Sequence, residues 1–311
     1  VVHSSSPRIS TPRASSPRGG ITALLVASVL WGTTGTAATL LPPTVNPVAI
    51  GAATMVFGGL LLVAFSWPGV VATLRHPAPR RWAFIGAIGV FVYPLAFYSA
   101  MDLAGVAIGN VVALGSAPAF SALLEWLVQR IRPTVRWFWC AVVAIAGIAL
   151  LAIAGHATGS VGGTHVPLGV GAGLLAGLAY ALYTYASTRA HSAGAGGRGP
   201  LAAMFGIGAI ALLPVLVVTG GLLADSARSI AITGYLAVFP MFVAYLLFSV
   251  GIRRIRSSSI TVITLLEPVV ATVLAVTIVG ERLTPLGWVG IVAILLAIVA
   301  TVTARPPGKK L

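Results

Sequence analysis

Charge is what this 311-residue sequence has least of: 8% of its residues are Asp, Glu, Lys or Arg, against roughly 25% in soluble domains. Acids are the scarcer sign, 5 Asp and Glu beside 19 Lys and Arg. The single cysteine, Cys140, excludes an intramolecular disulfide framework and sits in an apolar run, where packing is its plain role. Lysine occurs only as Lys309 and Lys310, so no GxxxxGK[ST] phosphate loop can be assembled from this sequence. All five histidines, His3, His76, His156, His165 and His191, fall in tails or connections. An intramembrane enzyme needs a nucleophile with its base or a metal cluster, and these positions supply neither, so no catalysis, metal or other cofactor is expected.

What is abundant is apolar: 58% of residues are hydrophobic and the mean hydropathy is +1.02. These values make an all-α polytopic membrane protein the expected class. The net charge of +14 would suit nucleic acid only as a clustered basic face. Here the arginines lie in short gaps between apolar runs, so no nucleic-acid partner is expected and the bilayer is the natural one. Apolar runs of about 20 residues divide the chain into ten spans, and every Lys and Arg except Arg228 and Arg282 falls on one side of them. Basic residues mark the cytoplasmic side, so both termini are expected there. Residues 1–20, rich in Ser, Pro and Arg, lack a signal peptide's apolar core and are expected to form a disordered cytoplasmic tail.

The stretch that organises the rest is Thr261 to Glu281, TVITLLEPVVATVLAVTIVGE, long enough to cross a bilayer yet carrying Glu267 and Pro268 in its middle. A carboxylate at that depth costs about 2.5–3.5 kcal/mol and a proline frees a backbone carbonyl, so both residues are expected to face a cavity. An earlier run, Val111 to Ile131, carries Pro118 where this one carries Pro268. At the same constant offset Thr134 meets Thr284 and Phe91 meets Met241, and Trp31 falls one residue off that register from Tyr180. Five spans per half is an odd number, so the halves are inverted repeats, the arrangement of secondary transporters. The expected plan is a first repeat at 21–154, a periplasmic connection at 155–167, a second repeat at 168–304, a cytoplasmic tail at 305–311, and a central cavity between the repeats.

WGTTGTAATLL in the first span and LLEPVVATVLAVTIVGERLTPLGWVGIVAILLAIV across the last two resemble the EamA-type transporters of the drug/metabolite transporter superfamily. The resemblance implies a bacterial inner-membrane basket whose cavity is lined by spans one, three, four, six, eight and nine. It points towards exporters of amino acids and related metabolites, the YddG-like amino-acid exporters among them. A proton or a counter-solute is the expected coupling partner and a monomer the working assembly. An exporter of drugs or cationic compounds is the alternative within the superfamily, and a channel lies outside it.

Within this frame the substrate-binding candidates are Trp31, Tyr98, Asn110, Pro118, Tyr180, Tyr245, Thr264, Glu267 and Pro268. Glu267 suits either substrate polarisation or proton binding; the plainer alternative is a neutral or hydrogen-bonded carboxyl that locks the broken helix, accepting from Thr264 or a neighbouring helix. Tyr93 and Tyr183 share with the other aromatics a flat apolar face and a polar tip, against the plainer role of packing or interfacial anchoring. Asn110, Leu114, Ala117, Ser121 and Glu125 form one stripe of the fourth span and Thr261, Thr264, Pro268 and Ala271 one of the ninth, to be weighed against helix packing. Glu125 stands one turn before Arg130 and is expected to pair with it or to sit at the interface. Glu281 and Arg282 are expected to be structural, Thr284 to cap the last helix ahead of Pro285, and Trp67, Trp82, Trp137 and Trp288 to be interfacial. Gly169, Gly173 and Gly177, four residues apart, predict close helix contact.

Overall fold

Proline in the first turn, where the helix has no use for its missing N–H, opens many of the helices, as Pro47, Pro77, Pro167, Pro200 and Pro285 do. Side chains finish the job at three starts: Asn46 accepts from the Val48 N–H, Ser226 from Ser229 and Thr284 from Gly287. The computed structural model describes residues 17–156, 165–279 and 283–303. Most of the expected N-terminal tail, the C-terminal tail, residues 157–164, and Glu281 with Arg282 lie outside them.

Among the described residues ten helices are long and apolar enough to cross a membrane. In chain order the spans are Arg18–Ala38, Pro47–Phe65, Pro77–Ala104, Ile108–Gln129, Val135–Ala154, Val166–Ser192, Gly199–Thr219, Ala227–Ile252, Ser257–Ile278 and Pro285–Val302. One additional helix, Trp67–Arg75, occupies what the sequence suggests is a plain basic connection. It buries Val70 and Thr73 and leaves Trp67 58% exposed. The third span starts at Pro77, directly after this helix.

Helix pairing follows the repeat. The third span packs along the sixth and the first along the eighth; the fourth packs on the sixth and the ninth on the first. The second meets the seventh, the fifth meets the tenth, and the fourth meets the ninth. Advancing each span by five positions maps this set of pairs onto itself, as two inverted five-helix repeats require. Small residues make the closest approaches possible. At Gly89 an added Cβ would lie 2.5 Å from the Ala179 carbonyl oxygen, and the Gly169, Gly173 and Gly177 stripe of the sixth span meets Ala104, Val112 and Ser116.

Two spans are interrupted. The ninth runs as Ser257–Ile263, turns at Thr264 and Leu265, resumes as Leu266–Leu274 and widens into a π-helix at Ala275–Val279. Pro268 has no N–H to give the Thr264 carbonyl, and the Glu267 N–H takes that carbonyl instead at 3.0 Å, tightening the turn. The eighth span widens into a π-helix at Ala237–Val243, around Pro240. Such widened turns gather at functional sites.

Candidate substrate cavity

Each interruption puts residues on a common hollow. Thr34 and Trp31 of the first span, Gly51, Thr54 and Met55 of the second, and Tyr93, Pro94, Phe97 and Tyr98 of the third line one side. Tyr180 and Tyr183 of the sixth span, Leu236, Pro240, Met241 and Tyr245 of the eighth, and Glu267 of the ninth line the other. The empty volume between them, its open mouth included, is about 670 Å³. Glu267 is the single charged residue of that lining.

The walls are aromatic and the rings support one another. Trp31 lies 5.0 Å from Tyr245, Tyr93 lies 5.8 Å from Tyr180 and stacks on Phe97 at 5.4 Å, and Phe205 backs Tyr245 at 4.4 Å, centroid to centroid. Two hydroxyl pairs tie these rings across the spans: Tyr180 with Thr264 at 2.7 Å and Tyr183 with Tyr245 at 2.9 Å. Buried hydroxyls need such partners, and together the pairs fasten the sixth span to the eighth and ninth. The hollow begins there and extends away from the basic connections: Thr34, Gly51 and Tyr98 all lie near the span ends that carry no arginine.

Glu267 is half-buried, and among the described residues no protein donor reaches its carboxylate within hydrogen-bond distance. The locking role is therefore corrected, because the Thr264 hydroxyl is engaged with Tyr180 and with the Thr261 carbonyl instead. An ionisable group at this depth with no protein partner and open space before it is arranged for a cation, a proton or a hydrogen-bond donor from outside the protein.

Of the nine candidates, the structure brings Trp31, Tyr98, Tyr180, Tyr245 and Glu267 together on the cavity. Thr264 stands behind Tyr180 and positions it. Asn110, Pro118 and Pro268 are not among the lining residues: Pro118 and Pro268 are buried in helix packing and Asn110 is half-buried. The spans around the cavity also differ from expectation, for the second takes the place given to the fourth. The fourth span is held against the sixth through Val112, Ala113 and Ser116, which closes the space it would line. Thr34, Thr54, Met55, Pro94, Phe97 and Met241 escaped the sequence reading. Thr34 follows Trp31 by three residues, on the same helical face, and that spacing was the available signal.

Glu125 also departs from the expected pairing. It is 4% exposed and pairs with Arg256 at 3.0 Å, not with Arg130, which caps the fourth span in a left-handed conformation. The Ser258 N–H at 3.0 Å and hydroxyl at 2.8 Å also donate to it, tying the fourth span to the start of the ninth.

Residues 18–153 and 167–303 each match the EamA-like transporter family. A Bacillus subtilis (strain 168) protein described as "Uncharacterized transporter YwfM" is 32% identical over 292 residues, covering 92% of this chain and 94% of its own. A Clostridium kluyveri "Uncharacterized transporter" is 28% identical over 157 residues, half of each chain. One solved crystal structure shares the fold with a TM-score of 0.76 and 21% identity, over 92% of this chain and 96% of that one.

Proposed function

Because the chain belongs to the EamA-like transporter family, and is thereby a small-molecule transporter rather than an enzyme, we propose that it exports amino acids, aromatic ones included, by alternating access. The observation that carries this reading is the unpaired Glu267 carboxylate facing an aromatic-walled hollow. An ammonium group gains a counter-charge from Glu267 and about 0.5–2 kcal/mol from each well-placed ring face. Side-chain atoms of an apolar or aromatic amino acid fit the remaining wall, and the Thr34 hydroxyl is placed to donate to its carboxylate. Protonation of Glu267 removes the counter-charge, which supports a proton as coupling partner. The basic connections are cytoplasmic in this reading, so the hollow faces the periplasm.

Counterflow in liposomes across an amino-acid panel, run at two pH gradients, tests the proposal. Saturable exchange of at least one amino acid is expected, together with at least a tenfold loss in Glu267→Gln; no saturable exchange across the panel removes the amino-acid reading. The same carboxylate and rings favour a second reading, a carrier of lipophilic organic cations. Under that reading Glu267→Gln abolishes exchange of tetraphenylphosphonium while neutral solutes continue to move.

A further inference from the structure

The face with the basic connections holds a second hollow that the cavity does not explain. The ends of the fourth and sixth spans and the connection from the eighth to the ninth surround an empty volume of about 1050 Å³, its open mouth included. Its lining carries Arg189, Arg253, Arg254 and Arg256 against one acid, Glu125, whose oxygens already accept from Arg256 and Ser258. Two groups of this lining point to a missing anion: the Arg189 Nε and the Ser257 hydroxyl are buried with no hydrogen-bond partner. Burial, and then the guanidinium groups of Arg254 and Arg198, hold Arg253 below the usual arginine range, a crowding of like charge that an anion relieves.

Its position is as telling as its charge. On the sixth span Tyr180 and Tyr183 line the cavity and Thr188, Arg189 and Ser192 line this hollow; on the ninth, Glu267 lines the first and Ser257 the second. Glu267 and Ser257 are ten residues apart, about 15 Å at 1.5 Å per residue of helix, with the turn at Thr264 and Leu265 between them. The interval holds Thr184 and Ser187, both 0% exposed and both with unpartnered hydroxyls. Polar groups stranded in a membrane bundle are costly, and these two lie on the sixth span between the residues that line the two hollows.

We propose that this hollow is the second mouth of the transport path, where Arg189, Arg253 and Arg256 capture the carboxylate of the amino acid before it passes along the sixth and ninth spans. The proposal rests on the amino-acid reading given above. The test is charge-selective labelling of the full chain, with Cys140→Ala removing the native thiol and Ser192→Cys placing one in the hollow. At low ionic strength a sulfonate-bearing methanethiosulfonate is expected to react about tenfold faster than its trimethylammonium counterpart. Arg189→Gln combined with Arg253→Gln is expected to bring that ratio close to one. Phenylalanine should slow the labelling and phenylalaninamide, lacking the carboxylate, should not. A ratio near one in the parent, equal protection by both compounds, or no reaction at Ser192→Cys while Arg75→Cys on the same face reacts, each overturns the proposal. Saturable amino-acid counterflow with a ratio near one removes the mouth alone. A ratio of ten with neither counterflow nor protection by phenylalanine removes the substrate reading and, with it, the capture step.

Discussion

The residue on which most turns is Tyr180, whose ring lines the cavity while its hydroxyl holds Thr264 at the break of the ninth span. Tyr180→Phe keeps the ring and removes the bond, for a stability loss of about 0.5–1.5 kcal/mol. The expected signature is a small fall in melting temperature with faster labelling at Ser192→Cys, because the floor of the cavity is loosened; unchanged labelling would show that the hydroxyl pair does not hold the floor. Gly89 is the steric counterpart. Its missing Cβ makes room for the Ala179 carbonyl and the Tyr183 backbone, so Gly89→Ala is expected to destabilise the bundle by about 1–3 kcal/mol, read as a lowered melting temperature in detergent. At this scale the sequence was most informative where a residue is costly in lipid: Glu267 and the inward tyrosines were legible because burying a polar tip needs a reason. Asn110 was not, because an amide satisfies either a cavity or a helix contact and the pattern does not distinguish them.

Elements were harder to read than residues. Pro118 and Pro268 share one offset in the sequence, yet the prolines on the cavity are Pro94 and Pro240. A proline frees a carbonyl, but whether the helix then opens onto space or onto a neighbour is decided by packing between helices. The second span shows the same limit: Gly51 leaves room for the Tyr98 ring, which no single-helix pattern foretells. Glu125 was misassigned because spacing along one helix favours Arg130, whereas the ninth span brings Arg256 and Ser258 to it from far away in sequence. Glu125→Ala removes the carboxylate from one ion pair and two hydrogen bonds. Bonds to a charged group contribute about 1.5–3 kcal/mol when buried, less here because the Arg256 side chain is 43% exposed. A fall in melting temperature larger than that of Tyr180→Phe is expected, and Arg256→Ala should reproduce only part of it, since Ser258 still holds the acid.

The whole molecule was the most legible level. Ten spans, their inversion and the basic asymmetry follow from composition and spacing, and the helix pairing carries the same two-fold relation. Orientation gives a direct measurement. In intact cells an impermeant maleimide is expected to label Ala224→Cys, in the connection between the seventh and eighth spans, and to spare Arg75→Cys; the reverse pattern would invert the assigned faces. One hairpin adds a consequence of its own. The helix of the third span ends at Ala104 and the helix that carries the fourth span begins at Val106, so the chain reverses through Gly105 alone, at φ 88°, a conformation that side-chain-bearing residues avoid. One residue gives no slack for either helix to wait in water for the other, so during synthesis the two must leave the ribosome-bound translocon as a single folded unit. Gly105→Val is therefore expected to appear first as failed biogenesis, with nascent chains degraded before any activity can be assayed.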